Sequence, residues 1–404
     1  MAPRNVLYIE ANTDGTVGGS HTCLLELVRG LDRSRYNPVV LFYQRHALLA
    51  EFEAACEVIV YDKPGPFRAP ALKRAARNGS PLATLARPLL LGKRAYNLAS
   101  QVLLPTLSLM RIMKGRNIHL VHLNNAVAQP PEAALAARLL GLPCVAHQRC
   151  VSNGLGPMTR RLTQGLGAVA CISEHVRAAL IESGVDAARC HLIYDGCDAA
   201  ALRARVKRPA AEVRREFGVE NGQPLLCLVG NLKPWKGQRT AVEAAALLRR
   251  MFPGLTLLLV GSSSDKPYVA SLRNLIAAEE LGEAVRLTGF RPDVAELMNA
   301  ADLVLHTSIE PEPLGLVILE AAALAKPCVA TAIGGPAETI EHEVSGLLVP
   351  PGDPQALAAA VGRLLGEPRL ARAMGEAGRQ RLESRFSLRS HLDRVQALYA
   401  SLAV

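Results

Sequence analysis

Residues 308–331 read SIEPEPLGLVILEAAALAKPCVAT, and this stretch decides the fold. Pro313 restricts Glu312 before it to an extended or turn conformation. The apolar residues that follow predict a helix that begins around Leu314–Gly315 and ends at about Ala325. A short apolar strand, Cys328–Thr331, comes directly after it. This order of turn, helix and buried strand is typical of α/β proteins with parallel sheets.

The start of the predicted helix is suited to an anion. The amides near Gly315, Leu316 and Val317 have no partner within such a helix, so we expect a diphosphate to bind there. Glu320 lies more than one turn further on, where its carboxylate can accept two hydrogen bonds from a ribose diol. Glu312 lies at the mouth, where it can bind sugar hydroxyls or stabilise positive charge on an anomeric carbon. The alternative is a pair of surface glutamates on a buried helix.

Short apolar strands alternate with helices throughout the chain. The strands predicted in the first half are Asn5–Glu10, Pro38–Tyr43, Val58–Tyr61, His119–Asn124, Pro143–His147, Ala168–Ile172 and His191–Ile193. Those in the second half are Leu225–Val229, Thr256–Val260, Val285–Leu287, Leu303–His306, Cys328–Thr331 and Leu347–Val349. Apolar strands of this kind indicate parallel sheets covered on both faces. We therefore expect two doubly wound, Rossmann-like α/β domains that face a central cleft, with the ligand at the carboxyl ends of the strands.

The pattern restarts near residue 223, which suggests the domain boundaries. We predict an N-terminal domain at 1–200, a linker at 201–222, a C-terminal domain at 223–385 and a final helix at 386–404 that packs back toward the N-terminal domain. The linker prediction depends on the polar and charged composition of RARVKRPAAEVRREFGVENGQP, which contains no clear strand.

Several stretches resemble a single enzyme family. EPLGLVILEAAA resembles a signature of two glutamates separated by seven residues, and VGNLKPWKGQ (229–238) resembles a strand followed by a Lys-Gly loop. VRLTGFRPDVAELMNAADLVLHTS, IGGPAETI and SGLLVPPGDPQALAAAV are similar to other segments of the same C-terminal half, and TVGGSHTCLLELVRGL is similar to a Gly-Gly loop and helix near the N-terminus. Together they resemble the retaining glycosyltransferases of the GT-B fold, family 4. The resemblance covers most of the C-terminal half and scattered parts of the N-terminal half.

This resemblance implies roles for matching residues of the C-terminal half. Lys236 would pair with the diphosphate of a nucleotide-sugar, Glu320 would bind the ribose, and Glu312 would bind the donor sugar. The helix start at Gly315, Leu316 and Val317 would also bind the donor. Arg291, in GFRP, would lie beside the base; its alternative is an ordinary surface arginine after a strand.

The resemblance also implies roles for residues of the N-terminal half. Gly18 and Gly19 would form a lip that approaches the donor phosphates, where the lack of a Cβ allows close contact; the alternative is a plain turn. His147 would lie near the donor sugar and the reaction centre, and its alternative is a structural histidine at a strand end. His122 is a weaker candidate at a neighbouring strand end.

One position departs from the family pattern. Many members have Arg directly after the glycine that corresponds to Gly230, whereas Asn231 stands here. Asn231 carries no charge, so Lys233 or Arg239 would have to supply the missing cation. This departure keeps open a non-catalytic protein that only binds nucleotide-sugars.

Composition favours a globular protein of the cytosol. Of the 404 residues, 50% are hydrophobic and 20% are charged. The 9 cysteines are odd in number and include no Cys-x-x-Cys pair, which argues against both a disulfide framework and a zinc ribbon. The first residues, MAPRNVLYIEANTDG, lack the apolar core of a secretory signal, so we expect a cytoplasmic location.

The basic charge is concentrated in one stretch. The formal net charge is +10, yet residues 63–131 hold 11 basic residues and no acidic one. The apolar runs of this stretch are too short to cross a bilayer. A basic, apolar, helix-forming segment can instead bind an anionic membrane surface, so we expect peripheral binding at the inner membrane face. The alternative is a set of core helices with solvated basic faces. No nucleic-acid motif is evident, and only 4% of the residues are aromatic.

We therefore expect a hexosyltransferase-type enzyme that moves a sugar from a nucleotide-diphosphate sugar to a polysaccharide, lipopolysaccharide or lipid-linked acceptor, with retention at the anomeric carbon. No cofactor or metal is expected, since the chain has no Asp-x-Asp pair and the spacing of Asp195 and Asp198 suits a turn. A nucleotide-sugar epimerase of the same fold is a further alternative. The sequence does not identify the base, the sugar or the acceptor.

Overall fold

A computed structural model of the chain describes residues 2–13, 17–63, 65–70, 76, 83–127, 129–152 and 154–402, with the backbone alone at 83–85. The chain divides into two compact units. The first consists of Met1–Cys171, Ala179–His191 and Val395–Val404, and the second of Ile172–Ala178 and Leu192–Arg394. The final helix thus contributes its last residues to the first unit.

The first unit is built on a seven-stranded sheet. Its strands are β1 Arg4–Glu10, β2 Tyr36–Phe42, β3 Glu57–Val60, β4 Ile118–Leu123, β5 Cys144–Gln148, β6 Ala168–Cys171 and β7 Cys190–Leu192. The strand order is β3-β2-β1-β4-β5-β6-β7, with parallel pairing from β3 to β6. The helical segments up to β7 are Gly19–Gly30, Leu49–Glu53, Ala83–Leu98, the π-helical Ala99–Leu103, Leu104–Gly115, Pro131–Leu139, Pro157–Thr163, Glu174–Glu182 and the 3-10 turn Ala187–Arg189.

The second unit is built on a six-stranded parallel sheet. Its strands are β8 Leu225–Val229, β9 Thr256–Val260, β10 Val285–Gly289, β11 Leu303–His306, β12 Cys328–Thr331 and β13 Leu347–Val349, in the order β10-β9-β8-β11-β12-β13. Its helices are Ala199–Ala204, Ala210–Glu216, the 3-10 turn Pro234–Lys236, Gln238–Arg249, Lys266–Ala278, Val294–Ala300, Leu316–Ala323, Pro336–Thr339, Pro354–Gly366, Pro368–Arg385 and Leu388–Leu402. Two of these helices lie at the predicted linker, and Val213 in that segment is fully buried.

The central strands of the second unit are buried on both faces. Leu257 and Leu259 of β9 belong to one hydrophobic cluster, whereas Leu258 and Val260 belong to another. Successive side chains of a strand point to opposite faces, so the two clusters lie on the two sides of the sheet. A continuous apolar run is therefore what a covered parallel sheet requires, and the predicted α/β fold with two parallel sheets is confirmed.

Each sheet reverses its strand order once. In the first unit the reversal lies between β1 and β4, and in the second between β8 and β11. Loops that leave adjacent strands in opposite directions open a crevice at the carboxyl ends of the strands, where ligands of open α/β sheets bind. The residues that follow β1, β4, β8 and β11 are therefore the first place to look for a site.

Candidate functional site

The second unit brings the candidates Lys236 and Glu312 together beyond β8 and β11, with His306 and Ser308 beside the Glu312 carboxylate. Lys236 Nζ lies 2.6 Å from Glu312 Oε1. His306 Nε2 lies 2.8 Å from Glu312 Oε2, and Ser308 Oγ donates to the same oxygen at 2.7 Å. The Lys236 ammonium also lies 4.4 Å from the centroid of the Trp235 ring, close enough for a cation–π interaction. We call Lys236, His306, Ser308 and Glu312 the cradle.

The Glu312 carboxylate is held in its ionised form. Burial on its own raises the pKa of Glu312, but the hydrogen bond and charge of His306, together with the charge of Lys236, outweigh it. The pKa of Glu312 is therefore held well below its usual range. The cradle carries a fixed negative charge next to a fixed cation.

The loop that carries Lys236 is fastened to the end of β11 by its backbone. Thr307 Oγ1 donates to the Lys236 carbonyl at 3.0 Å, and the Ile309 amide donates to the Trp235 carbonyl at 2.8 Å. Gly237 has a left-handed φ of 67°, and a Cβ on it would lie 1.9 Å from the Thr307 carbonyl oxygen. Only glycine fits at this position, so the Lys-Gly sequence is needed to place the lysine.

A pair of adjacent glycines, Gly334 and Gly335, packs against the backbone of Glu312. The Gly335 amide donates to the Glu312 carbonyl at 2.8 Å. A Cβ on Gly335 would lie 2.3 Å from the Leu314 Cα, and a Cβ on Gly334 would lie 2.5 Å from the Glu312 carbonyl oxygen. The two segments can pass each other this closely only because neither glycine has a side chain. The sequence IGGPAETI thus positions the loop that carries Glu312.

The helix predicted after Pro313 is present as Leu316–Ala323. Gly315 is its N-cap, with a left-handed φ of 85° and no side chain to cap the first amides. The amides of Leu316 and Val317 belong to the first turn, whose N–H groups have no acceptor within the helix. The start of the helix therefore offers the donors expected for an anion site.

Glu320 lies one turn inside this helix and is half-buried. In the part of the chain that the structure describes, its carboxylate accepts no hydrogen bond from any residue. Burial raises the pKa of Glu320 to about 7, and the charge of Arg205 offsets only part of this effect. A desolvated carboxylate without a donor is a group that a ligand hydroxyl would stabilise.

The first unit has its own polar cluster beyond β1 and β4. Glu10 is fully buried, and its carboxylate accepts hydrogen bonds from Asn125 Nδ2 and, at 2.6 Å, from Asn124 Nδ2. Asn125 Oδ1 accepts from the Ala11 amide at 2.7 Å, and Asn124 Nδ2 also donates to the Ser20 carbonyl at 3.1 Å. This network ties the end of β1 to the start of helix Gly19–Gly30. We call Glu10, Asn124 and Asn125 the asparagine cluster.

Gly18 and Gly19 lie where this helix begins, and both are exposed. A Cβ on Gly18 would meet no atom within 4 Å, and its φ of −129° is open to any residue. Among the described residues no contact requires glycine at position 18, so the role of Gly18 and Gly19 beside the donor phosphates stays a prediction.

His147 is on β5 and its ring is fully buried. Its Nδ1 lies 3.3 Å from Arg149 Nη2, and its ring centroid is 5.4 Å from that of His122. In this conformation the His147 ring has no surface for a ligand to touch. A direct contact with a sugar therefore requires its neighbours to move.

His122 is part of a buried chain of hydrogen bonds. Its Nδ1 lies 2.6 Å from the hydroxyl of Tyr399, which donates to the hydroxyl of Tyr8 at 3.0 Å. Tyr399 comes from the final helix, so this helix is anchored in the core of the first unit.

Comparison with known proteins agrees with this geometry. The family model described as "Glycosyl transferases group 1" matches residues 210–381, and the model described as "Glycosyltransferase Family 4" matches residues 17–201. A GDP-mannose-dependent alpha-(1-6)-phosphatidylinositol monomannoside mannosyltransferase of Mycobacterium tuberculosis is 31% identical over 314 residues, which span 72% of this chain and 78% of that protein. The chain belongs to the group 1 glycosyltransferases.

Other relatives match over a shorter span. An N-acetyl-alpha-D-glucosaminyl L-malate synthase of Bacillus anthracis is 31% identical over 197 residues, or 49% of this chain and 50% of that protein. Several curated relatives are matched over only about half of their length, as this synthase is. Among solved structures, a glycosyltransferase of Rickettsia africae superimposes with a TM-score of 0.80 at 21% identity, and covers 100% of this chain and 99% of its own. Anabaena HepE, solved in complex with UDP and glucose, superimposes with a TM-score of 0.79 at 24% identity, and the match covers 98% of this chain and 100% of HepE. These likenesses show that the glycosyltransferase has the GT-B fold.

Arg291 of this glycosyltransferase is engaged by acidic neighbours. Its Nε and Nη2 donate to the two carboxylate oxygens of Asp293 at 2.7 and 2.6 Å, and its Nη1 donates to Glu216 at 2.5 Å. Arg208 binds the same two acids and Glu296. These acidic neighbours neutralise and position the Arg291 side chain without any contribution from a nucleotide. The placement of Arg291 beside a base therefore stays a prediction.

Asn231 is exposed, and its carbonyl accepts a hydrogen bond from Gln238 Nε2 at 3.1 Å. Arg239 forms an exposed ion pair with Glu243 at 2.8 Å. Lys233 is exposed and has no ion pair with any described residue. Of the two cations considered as replacements for the family arginine, Lys233 is therefore the one available to a ligand.

Several of these residues carry no recognisable signal in the sequence alone. Glu10, Asn124 and Asn125 were missed because an acid after one strand and two amides after another acquire meaning only when the topology places β1 beside β4. His306 and Ser308 were quoted within a motif but given no role. Their signal was their position directly at the end of an apolar strand, the same signal that identified His147.

Two absences concern only the described residues. Among them, no group of three or more His, Cys, Asp or Glu side chains is arranged to hold a metal ion. In the same part of the chain, no helix combines the length and the hydropathy that crossing a membrane requires.

Proposed function

We propose that this glycosyltransferase transfers a sugar from a nucleoside-diphosphate sugar to an acceptor hydroxyl, with retention of the anomeric configuration and without a metal ion. The observation that carries the proposal is the cradle, in which Lys236 is held 2.6 Å from Glu312 beside an uncapped helix start. The mycobacterial relative is named as GDP-mannose-dependent and Anabaena HepE was solved with UDP and glucose, which supports the same class of donor.

The diphosphate would be bound by Lys236 and the helix start. A lysine ammonium has three N–H donors, and one is directed at Glu312. The other two remain for phosphate oxygens. The first amides of helix Leu316–Ala323 supply further donors, and the helix dipole adds positive potential. With one cation and several amides, two phosphates can be bound without a divalent ion.

The ribose would be bound by Glu320. Its carboxylate is desolvated and accepts no hydrogen bond from any described residue. Two hydroxyl donors of a ribose diol would therefore offset the free-energy cost of burying this carboxylate without a donor. Binding of the diol would favour the ionised form and lower the pKa of Glu320 from about 7.

The reaction would break the bond between the anomeric carbon and the diphosphate oxygen and form one from that carbon to the acceptor oxygen. Negative charge develops on the leaving phosphate, where Lys236 and the helix amides stabilise it. Positive charge develops on the sugar, and the ionised Glu312 is the group in the cradle that can stabilise it. The acceptor hydroxyl loses its proton to the leaving phosphate, which leaves as a nucleoside diphosphate, so no side chain need form a covalent bond. The acceptor would bind to the first unit, with the asparagine cluster shaping the end of β1.

The acceptor is proposed to be lipid-linked, with the enzyme bound at an anionic membrane surface. Helices Ala83–Leu98 and Leu104–Gly115 expose large apolar side chains, and the described residues of this stretch carry no acidic group. The exposed set comprises Leu89, Leu91, Tyr96, Leu98, Leu103, Leu104 and Leu107. Exposed leucines among basic residues suit the interface of an anionic bilayer. The full-length protein should sediment with anionic liposomes at low salt and not with neutral ones, and failure to bind either would contradict this part of the proposal.

The main experiment is a donor screen. Thermal shift with the common nucleoside diphosphates would identify the base, because a ligand that binds only the folded state raises the midpoint. Sugar transfer from the matching nucleotide-sugars would then be followed in EDTA, with the anomeric coupling constant of the product measured by NMR. An inverted product, a need for added divalent ions or an epimerised donor would each overturn the corresponding part of the proposal. Tight nucleotide binding without turnover on any acceptor would favour the non-catalytic alternative.

A further inference from the structure

The second unit has a concave site at the edge of its sheet opposite the cradle. The cavity has a volume of about 510 Å³, within the range of small-molecule sites. It lies at the amino ends of β8, β11 and β12, and helices Pro354–Gly366 and Pro368–Arg385 form its other wall. The proposed sugar transfer does not use it.

Four charged side chains line this cavity: Arg214, Asp302, Lys326 and Arg372. Arg214 is committed to the fold, since its Nη1 donates to the Ala300 carbonyl at 3.0 Å and to Asp302 Oδ2 at 3.2 Å. The same Asp302 oxygen accepts from the Leu225 amide at 2.7 Å. The single acidic group of the lining is therefore already neutralised by neighbours that fix the edge of the sheet.

Lys326 and Arg372 remain as cations that the fold does not use. Neither forms a hydrogen bond or an ion pair through its side chain with any other described residue. Arg372 is exposed, whereas Lys326 is half-buried. Burial lowers the pKa of Lys326; the carboxylate of Asp302 opposes this effect and the charge of Arg214 adds to it. Because Asp302 is already engaged by Arg214 and by the Leu225 amide, an anion that enters the cavity would stabilise the partly desolvated Lys326 ammonium.

Much of the remaining lining is apolar, although Asn221 and Gln223 also border the cavity. Leu303, Leu364, Leu365 and Pro368 contribute to it beside the two cations. A free inorganic anion would satisfy the charge but leave this apolar surface uncovered. A larger anion with a ring or chain next to its charged group would cover both.

We propose that this cavity is a second anion-binding site, which takes a small phosphorylated molecule with its phosphate on Lys326 and Arg372 and its organic part against Leu303, Leu364 and Leu365. It is separate from the cradle. β11 runs from one to the other, and four residues of strand at about 3.3 Å each place the two roughly 13 Å apart. A diphosphate held at one site therefore does not reach the other.

The test must separate this site from the cradle, which also binds phosphate under the proposed function. Binding of inorganic phosphate, of a hexose phosphate and of a nucleoside diphosphate is measured by calorimetry on the full-length chain and on three variants. Lys236→Met disables the cradle, whereas Lys326→Met and Arg372→Gln disable the cavity. Arg369→Gln is the matched control, because Arg369 precedes Arg372 on the same helix but does not line the cavity.

We expect the hexose phosphate to bind Lys236→Met as tightly as the unchanged chain, and to lose at least tenfold in affinity in Lys326→Met and in Arg372→Gln, with no loss in Arg369→Gln. Inorganic phosphate should bind with lower affinity but show the same losses in Lys326→Met and Arg372→Gln and none in the other two variants. If phosphate binding disappears in Lys236→Met and persists in the two cavity variants, the cavity is not an anion site. Should Lys326→Met fail to fold, Arg372→Gln decides alone, since the exposed Arg372 side chain forms no hydrogen bond or ion pair with any described residue. Failure of the cradle to bind a nucleotide would leave this result unaffected.

Discussion

Lys236 Nζ and Glu312 Oε1 lie 2.6 Å apart, and the side chains of the two residues are only 18% and 14% exposed. From the sequence, the lysine is expected at the phosphates and the glutamate at the sugar, as separate contacts. Their proximity means that Glu312 also positions Lys236. The two residues should therefore be coupled in function, which gives the first prediction.

Replacing Lys236 with Met or Glu312 with Gln should each lower kcat/KM by about 10²–10³, the loss typical of removing one group that stabilises transition-state charge. The double variant should lose less than the product of the two single losses, because each change already disrupts the other residue. Arg389→Met is the control, since the side chain of Arg389 is 93% exposed on the final helix. Strictly multiplicative losses would show that the two residues act independently.

Glu320 should make the second unit less stable as the pH rises. The pKa of Glu320 is raised from 4.5 to about 7 in the folded chain, so between these values the folded chain binds a proton that the unfolded chain has lost. Stability is therefore lost as pH rises through this window, by about 3 kcal/mol at most. Glu320→Gln should unfold at higher denaturant than the unchanged chain at pH 8, and at the same denaturant concentration at pH 4.5.

The same substitution should weaken nucleotide binding by about tenfold, because the amide is a poorer acceptor for the ribose diol. Glu320→Gln should thus raise stability at pH 8 and weaken nucleotide binding. Replacing a residue that served only the fold would not produce both results. Glu279→Gln, at an exposed helix end, is the control for both measurements. If Glu320→Gln destabilises the chain at pH 8 and leaves nucleotide affinity unchanged, the role proposed for Glu320 is wrong.

The strands and the helix after Pro313 could be predicted because their signals are local. Apolar runs identified the sheet strands to within about two residues, and helix Leu316–Ala323 begins close to the predicted point. Arg291 is different: a basic residue after a strand has the same local sequence whether it faces a nucleotide or Asp293 and Glu216. The asparagine cluster could not be found for a related reason, since Glu10 and Asn125 are 115 residues apart in the chain.

Gly237 offers a test of the loop geometry. Gly237→Ala places a Cβ 1.9 Å from the Thr307 carbonyl oxygen, at a left-handed φ of 67°. Gly218 has a similar φ of 70° but open space around it, so Gly218→Ala costs only the backbone term of about 1 kcal/mol. We expect Gly237→Ala to lower the free energy of unfolding by at least about 2 kcal/mol more than Gly218→Ala, because the loop must separate from β11. Nucleotide affinity should fall only in Gly237→Ala, and equal effects in both variants would contradict the tight packing.

Glu338, in the segment IGGPAETI, caps a helix that is remote in sequence. Its Oε1 and Oε2 accept hydrogen bonds from the amides of His175 and Glu174, both at 2.8 Å, at the first turn of helix Glu174–Glu182. The hydroxyl of Tyr194 donates to Oε2 at 2.9 Å. The carboxylate thus satisfies amides that have no acceptor within their own helix, and a charged cap of this kind is stronger than a neutral one.

Glu338→Ala should therefore lower the free energy of unfolding by about 2–3 kcal/mol, and Glu338→Gln by less, because the amide oxygen can still serve one donor. Burial, and then Glu338, raise the pKa of Tyr194 to about 12. Removing the carboxylate should therefore lower the pKa of Tyr194 part of the way back to its ordinary value, which a phenol absorbance titration would measure. Glu341→Ala, which breaks only an exposed ion pair with Arg381, should change stability by less than about 1 kcal/mol. If Glu338→Ala leaves both the unfolding midpoint and the Tyr194 titration unchanged, the carboxylate does not cap this helix in solution.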